Sequence, residues 1–151
     1  MEEKLVSEYI GKDAEKFIGT NVNWSAGILG QVFGPVWFFY RKSYLIGVLF
    51  IIITIIVGNI ASSLEIKEAS YIMFFIYLFT ANKLYVWDVK RKVNKILSTR
   101  KDMSEEEIIS YVREKGGTST LAAVIYSIVL IAIIFIYIAL IYSTINTLMS
   151  I

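Results

Sequence analysis

The stretch "TLAAVIYSIVLIAIIFIYIALIYSTINTLM", residues 120–149, decides the fold class, because it holds thirty residues without one charged side chain. A second uncharged stretch, "YLIGVLFIIITIIVGNIA", covers residues 44–61. A water-soluble domain of 151 residues could not bury both stretches, whereas a bilayer accommodates about 20 apolar residues per helical span. Lipid offers no hydrogen bonds to the backbone, so both stretches are expected to be helices despite their many isoleucines.

The composition supports a membrane protein and excludes several kinds of site. Hydrophobic residues make up 56% of the chain, against about 45–50% in soluble domains. The net charge of +2 is too small to suggest nucleic-acid binding. The chain has no cysteine and no histidine, which removes disulfides, thiolate metal sites and the commonest general base. We therefore expect no enzyme activity, cofactor or metal.

The remaining segments complete a single all-α membrane domain. A third apolar segment, "YIMFFIYLFTANKLYVW", covers residues 71–87. The charged N-terminus lacks the apolar core of a cleavable secretory signal. The predicted organisation is a polar or amphipathic segment (1–22), a broken membrane segment (24–40), spans at 43–62, 70–87 and 119–147, and a cytoplasmic helical hairpin (88–118).

The N-terminal segment has two interpretations. Leu5, Tyr9, Phe17 and Ile18 are placed to line one side of a short helix at the membrane surface, although nearby glycines interrupt it. The alternative is a partly ordered polar tail, as is common at chain ends.

The broken segment contains the only proline of the chain, Pro35, directly after Gly34. Proline lacks an N–H, clashes with the preceding turn and disfavours helical angles at the residue before it. At about 25 Å as a helix, residues 24–40 are also short for a hydrocarbon core of about 30 Å. We therefore predict two half-helices hinged at Gly34 and Pro35. The segment either re-enters the bilayer, which we prefer and which leaves the N-terminus inside, or crosses it, which places the N-terminus outside.

The polar region 88–118 has the pattern of a helical hairpin. Val89 and Val93 continue the helical period of the third span, so that span is expected to extend out of the membrane. Ser104 and Glu107 form a capping-box pattern at the start of a second helix. Gly116 is expected to end that helix, and Thr118 or Ser119 to cap the last span.

The distribution of positive charge predicts the topology. The region 88–118 carries eight Lys or Arg, whereas the loop 62–70 carries only Lys67. Positive residues in short loops stay in the cytoplasm. The hairpin and the pair Arg41 and Lys42 are therefore predicted to be cytoplasmic, and the loop 62–70 and the C-terminus to lie outside.

Small residues recur every four positions in the broken segment, at Ala26, Gly30 and Gly34. Such faces allow close helix approach in lipid. The face is a candidate for oligomer contacts, and packing within the chain is the alternative that we favour.

Aromatic and basic residues give three further sets of candidates. Interfacial anchors or headgroup contacts are predicted at Trp24, Trp37, Tyr40, Arg41, Lys42, Tyr85 and Trp87. Intramembrane polar groups are Asn82 and Lys83, of which Lys83 is near enough to the cytoplasm to snorkel. A basic cytoplasmic face, suited to topology and to anionic lipid, consists of Lys90, Arg91, Lys92 and Lys95.

The sequence resembles a family of small bacterial membrane proteins catalogued as domain of unknown function 2628. The resemblance lies in the Asn-Trp-x-Ala, Gly-Pro-x-Trp and Tyr-Arg-Lys motifs, here Asn23, Trp24, Ala26, Gly34, Pro35, Trp37, Tyr40, Arg41 and Lys42. "ANKLY", the basic helix and "KGGTS" are also similar, whereas "GILGQVFG" departs from a pattern usually richer in phenylalanine. The resemblance implies a multi-pass protein of the bacterial inner membrane, and it implies no activity.

Two functions remain open on this evidence. The first is a non-enzymatic membrane protein that acts as a partner-binding, scaffold or accessory subunit and that self-associates or binds another membrane protein. The alternative is a small oligomeric channel or carrier built around the break at Gly34 and Pro35. The expected partners are membrane lipid, a second copy or a membrane protein, and not nucleic acid.

Overall fold

A computed structural model describes residues 1–12, 14–20, 22–66 and 69–149, without the side chains of residues 30, 31, 69, 70, 147 and 148. Its regular structure in these ranges is helical, which confirms the all-α prediction. The helices are α1 (Glu2–Ile10), α2 (Ala14–Phe17), α3 (Trp24–Phe33), α4 (Val36–Tyr40), α5 (Tyr44–Ser63), α6 (Ala69–Thr99), α7 (Glu105–Lys115) and α8 (Thr120–Met149).

Within the described ranges, three helices are long and apolar enough to cross a membrane, namely α5, α6 and α8. They coincide with the three predicted spans. The 31 residues of α6 correspond to about 46 Å, well beyond a hydrocarbon core of about 30 Å. The third span therefore continues as one helix into the polar region, as its valines indicate. Lys67, on which part of the topology prediction depends, lies outside the described residues.

Helix α6 is the scaffold on which the other elements are assembled. Helices α1, α3 and α5 pack along it, α4 joins α5 to α8, and α7 lies against α1. The centre of the core is aromatic: the ring centroids of Phe38 and Phe50 are 4.9 Å apart, and those of Phe50 and Tyr77 are 4.7 Å apart. Such offset stacks add to the stabilisation that burial of the rings provides.

The N-terminal segment belongs to this core. Leu5, Tyr9 and Phe17 are buried, whereas Ile18 is 46% exposed. α1 ends at Ile10, where Gly11 takes a positive φ of 82°. Three of the four apolar residues that the sequence assigned to one helix face thus pack inside the protein, on two short helices rather than one.

The predicted helix termini of the polar region are confirmed. The Ser104 hydroxyl accepts the Glu107 N–H, while the Glu107 carboxylate accepts the Ser104 N–H at 2.8 Å. The hydrogen bonds from Ser104 lower the pKa of Glu107 below its ordinary value. α7 ends at Gly116, and the Ser119 hydroxyl accepts the Ala122 N–H at 3.2 Å at the start of α8.

Helix α8 leaves the other helices after its first turns. Its main contact is with α4, where the rings of Phe39 and Tyr126 stack at 4.5 Å. Beyond that contact, every residue from 131 to 146 is exposed. α8 thus presents an apolar surface on all sides.

Candidate functional site

A break between two short helices is observed where Gly34 and Pro35 predict it. α3 ends at Phe33, Gly34 takes a φ of 61°, and α4 begins at Val36. This positive φ suits glycine, which carries no Cβ. Both ends of the segment that these two short helices form are attached to α6.

The first end is attached by a pair of buried asparagines. The Asn23 side chain caps α3 by accepting the Ala26 N–H at 2.9 Å, and it donates to Oδ1 of Asn82 at 2.7 Å. Asn82 in turn donates to the Thr20 carbonyl at 3.2 Å. The Asn23 N–H donates to the Leu78 carbonyl at 2.8 Å, one turn before Asn82. The amide of Asn82 thus holds the start of α3 against α6.

The other end is attached by a buried carboxylate. Asp88 is fully buried, and its Oδ2 accepts from Ser43 Oγ at 2.8 Å and from Lys92 Nζ at 2.7 Å. Its Oδ1 accepts from Arg91 at 3.0 Å. Asn82 and Asp88 are six residues apart, or about 9 Å along α6. Both ends of the broken segment therefore lie beside the same short stretch of one helix.

An arginine and an aromatic cage lie between these two attachments. Arg41 is 7% exposed, and its guanidinium carbon is 4.4 Å from the Phe17 ring centroid and 5.9 Å from that of Tyr85. Trp37 packs edge-on against Tyr85 at 5.5 Å. Aromatic faces attract a cation more strongly when water is excluded.

This arrangement differs from the surface position expected of lipid anchors. Trp37, Arg41 and Tyr85 are buried inside the protein. After the turn at Gly34, the Trp37 ring of α4 packs against the Tyr85 ring of α6, with centroids 5.5 Å apart. Trp24 and Trp87 remain more than half exposed, in keeping with an outer surface, and Tyr40 is partly exposed.

Lys42 also has an internal role. It takes a positive φ of 57°, its carbonyl accepts from Lys92 Nζ at 2.7 Å, and its own Nζ donates to the Gly116 carbonyl at 2.6 Å. The neighbouring Gly117 N–H donates to the Tyr9 carbonyl at 2.7 Å. Three junctions, α4–α5, α7–α8 and the end of α1, meet at this point.

Tyr9 lies at the same junction. Burial, followed by the nearby Tyr85, Asp88 and Tyr44, raises the pKa of its hydroxyl to about 12. The phenol is therefore neutral across the physiological range. A charged phenolate would lose hydration in this position and would face the Asp88 carboxylate.

The small-residue face is used within the chain, as far as its members are described. Ala26 is fully buried. A Cβ on the adjacent Gly27 would lie 3.0 Å from the Phe74 ring of α6, and one on Gly34 would lie 3.2 Å from the Tyr126 hydroxyl of α8. The third member, Gly30, has no described side-chain environment.

The predicted basic face is divided among different surroundings. Lys92 belongs to the buried network, and Arg91 lies over the Trp87 ring at 5.4 Å. Lys90 and Lys95 are exposed on different sides of α6, each beside its own cavity. Lys83 is likewise exposed, whereas its neighbour Asn82 is 1% exposed.

Sequence reasoning missed Asp88 and Ser43. A signal was present, because Asp88 falls on the same helical face as Tyr85 and Lys92, at spacings of three and four. A carboxylate on a buried face needs cationic or hydroxyl partners, and Lys92 and Arg91 stand at the required positions. Ser43 lies between α4 and α5, so no helical periodicity indicated that its side chain is buried.

The chemistry of the cluster is that of attachment. Its side chains form hydrogen bonds with other parts of the chain, and they are those of Asn23, Asn82, Ser43 and Asp88. In the described ranges, no three His, Cys, Asp or Glu side chains come together to hold a metal ion.

Comparison with known proteins finds one matching family model. The model of a family described as "Protein of unknown function (DUF2628)" matches residues 4–91, more than half of the chain. The match includes the broken segment and Asp88, and it confirms the resemblance found in the motifs. No curated protein and no solved structure matches the chain.

Proposed function

The chain belongs to the DUF2628 family of proteins of unknown function, and from this premise we propose that it is a non-enzymatic protein of the bacterial inner membrane that assembles with a second copy or with another membrane protein. The broken segment and its polar cluster serve as the rigid base. Helix α8 makes the contact with the partner.

The observation that carries this proposal is the isolation of α8. Helices α5 and α6 pack against other helices, whereas residues 131–146 of α8 have none of their described side chains buried. Bilayer lipid can cover an isolated span, but close packing with another helix yields more van der Waals contact. A helix that its own chain leaves uncovered is the natural place for a partner.

One side of α8 is suited to such packing. Ala132, Ala139, Ser143 and Asn146 fall within about 60° of each other around the helix, and all four are exposed. Small residues allow two helix backbones to approach, and an amide in lipid gains from a partner across the interface. The remaining surface carries mainly Ile, Leu and aromatic residues, which suit lipid.

The same proposal includes a topology. The end of the protein with α1, α7 and the last turns of α6 carries the basic residues, so it faces the cytoplasm by the distribution of positive charge. Because Asn23 and Ser43 are attached to one short stretch of α6, the segment between them enters from that side and returns to it. The N-terminus is then cytoplasmic.

Single cysteines test the topology cleanly, because the chain has none of its own. Lys12→Cys, in the turn after α1, should react with a membrane-impermeant maleimide only after the cells are opened. Ser63→Cys, at the end of α5, should react in intact cells. Labelling of both positions in intact cells would show that residues 24–40 cross the membrane.

Disulfide cross-linking tests the assembly. Ala139→Cys should give a cross-linked product in native membranes, as a homodimer or as an adduct with one protein identified by mass. Ile141→Cys, on the opposite side of α8, is the matched control and should give much less. If neither position cross-links and the purified chain is a monomer in mild detergent, lipid alone covers α8 and the proposal is wrong.

A small channel or carrier is the second candidate, and the observed break between α3 and α4 favours it. Broken helices at membrane depth accompany many solute sites. Ion or solute flux through liposomes that hold the pure protein would support this function if Gly34→Leu abolishes the flux. Absence of flux from correctly folded protein would exclude it.

A further inference from the structure

A basic cleft of about 290 Å³ lies between the end of α6, α7 and the end of α1. We call it the Tyr111 cleft. Its walls include four cations and two tyrosines, namely Lys92, Lys95, Arg100, Lys115, Tyr9 and Tyr111. It is distinct from the attachment cluster, which consists of Asn23, Asn82, Ser43, Asp88 and Lys92. The two share only Lys92.

The cleft has an excess of positive charge. Among the described residues, no carboxylate lines it. Asp88 offsets Lys92, and Glu114 approaches Lys115 only to 3.7 Å with both side chains more than half exposed. Lys95 and Arg100 make no ion pair with any residue that the structure describes.

Two carboxylates on the neighbouring helices are engaged elsewhere. Glu8 of α1 pairs with Arg113 at 3.0 Å, and Glu105 of α7 pairs with Lys4 at 3.7 Å. Both pairs join α1 to α7 without entering the cleft. Within the part of the chain that the structure describes, the charges of Lys95 and Arg100 therefore remain uncompensated.

Three of the four cations lie close to aromatic rings. The guanidinium carbon of Arg100 is 5.3 Å from the Tyr111 ring centroid, and Nζ of Lys115 is 5.4 Å from the same centroid. Nζ of Lys92 lies 5.8 Å from the Tyr9 ring centroid. The four cations that line this one cleft repel each other, and an anion bound among them would relieve that repulsion.

From this juxtaposition we propose that the Tyr111 cleft binds a phosphate-bearing anion. Arginine forms two parallel hydrogen bonds to a phosphate, and the lysines add point charge. The volume is at the lower end of the range for small-molecule sites. It suits one or two phosphate groups and excludes a large apolar ligand.

The phosphate has two sources, an anionic lipid headgroup or a free phosphate compound. Arg100 lies 13 residues beyond Trp87, where the apolar part of α6 ends, so it is about 20 Å further along the helix direction. That distance favours a soluble source, and a lipid source requires this end of the protein to lie down on the bilayer surface.

Binding of pyrophosphate to the full chain distinguishes the sources. The protein is placed in nanodiscs of phosphatidylcholine, and pyrophosphate is added up to about 10 mM, tenfold above a millimolar Kd, with binding followed by calorimetry. We expect saturable binding that Arg100→Gln weakens about tenfold, as for the loss of a charge-assisted hydrogen bond. Lys101→Gln removes the same charge from the next residue, which does not line the cleft, and should change the Kd less than twofold.

A second arm replaces part of the phosphatidylcholine by phosphatidylglycerol. Thermal stabilisation by phosphatidylglycerol that Arg100→Gln removes and Lys101→Gln retains would assign the cleft to a lipid headgroup. Equal effects of Arg100→Gln and Lys101→Gln would mean nonspecific charge attraction and would overturn the proposal. Absence of both pyrophosphate binding and the lipid effect would overturn it as well.

Discussion

Replacing Asp88 by alanine should loosen the attachment of the broken segment to α6. The carboxylate is fully buried and receives hydrogen bonds from Ser43, Arg91 and Lys92. Its loss leaves the buried Ser43 hydroxyl without its acceptor and Lys92 without its counterion. The substitution changes one residue of α6, but its effect falls on the junction between α4 and α5, where Ser43 lies.

The expected loss of stability follows from the exposure of each partner. Removing one member of a fully buried ion pair costs about 3–5 kcal/mol, whereas an exposed pair contributes about 0–1 kcal/mol. The side chains of Arg91 and Lys92 are 48% and 27% exposed, so water partly solvates them after the change. We therefore expect Asp88→Ala to lower the free energy of unfolding by about 2–3 kcal/mol. Asp88→Asn keeps an acceptor for Ser43 and should cost about half as much.

Reversible unfolding in mixed detergent micelles, followed by circular dichroism, measures these changes. Lys90→Met alters an exposed charge on the same helix and should change the stability by less than about 0.5 kcal/mol. The double variant Asp88→Ala/Lys92→Met also removes the lysine that loses its counterion in Asp88→Ala. Its loss of stability should therefore be about 1 kcal/mol smaller than the sum of the losses in the two single variants. If Asp88→Ala has no more effect than Lys90→Met, or the losses add, the carboxylate does not hold the segment.

Three further changes test other contacts by the same measurement. Gly116→Ala places a Cβ on the backbone carbonyl of Tyr9 and should cost about 2 kcal/mol, whereas Gly58→Ala, with open space around it, should be neutral or stabilising. Because burial raises the pKa of Tyr9 from 10.0 to about 12, the unfolded chain loses that proton first. The free energy of unfolding should then fall as the pH rises between those two values, by at most about 1.4 kcal/mol per pH unit, and Tyr9→Phe should remove that part of the fall. Asn82→Leu leaves the Asn23 amide without its partner and should cost about 1–3 kcal/mol; a cost equal to that of an exposed substitution would show that this bond does not hold α3.

The helices of this protein are predictable because their signals are local. The uncharged runs 43–64 and 116–151 indicate helices that are long and apolar enough to cross a membrane. The capping box joins Ser104 to Glu107, and the Gly116 N–H donates to the Val112 carbonyl. Because the partners are only three or four residues apart, a short stretch of sequence reveals both. The break at Gly34 and Pro35 is local in the same sense.

The attachment cluster depends on contacts between distant parts of the chain, and local signals are ambiguous there. A tryptophan about one turn before a pair of cations fits a membrane interface, where the ring meets headgroups and the cations meet phosphate. The same sequence pattern fits equally well an arginine whose guanidinium is buried among aromatic rings. A membrane interface and a buried aromatic cage both place a charge against an apolar face. The periodicity of α6 separates the buried Asn82 from the exposed Lys83, but it does not indicate what covers Asn82. Asn82 is covered by Asn23 and Thr20, which lie 59 and 62 residues earlier in the sequence. Ser43 likewise reaches Asp88 across 45 residues, because the chain returns to α6 after the turn at Gly34. A carboxylate at the end of an apolar span, with Lys at the fourth following position on a buried face, is therefore better interpreted as an attachment point than as the start of a solvated loop.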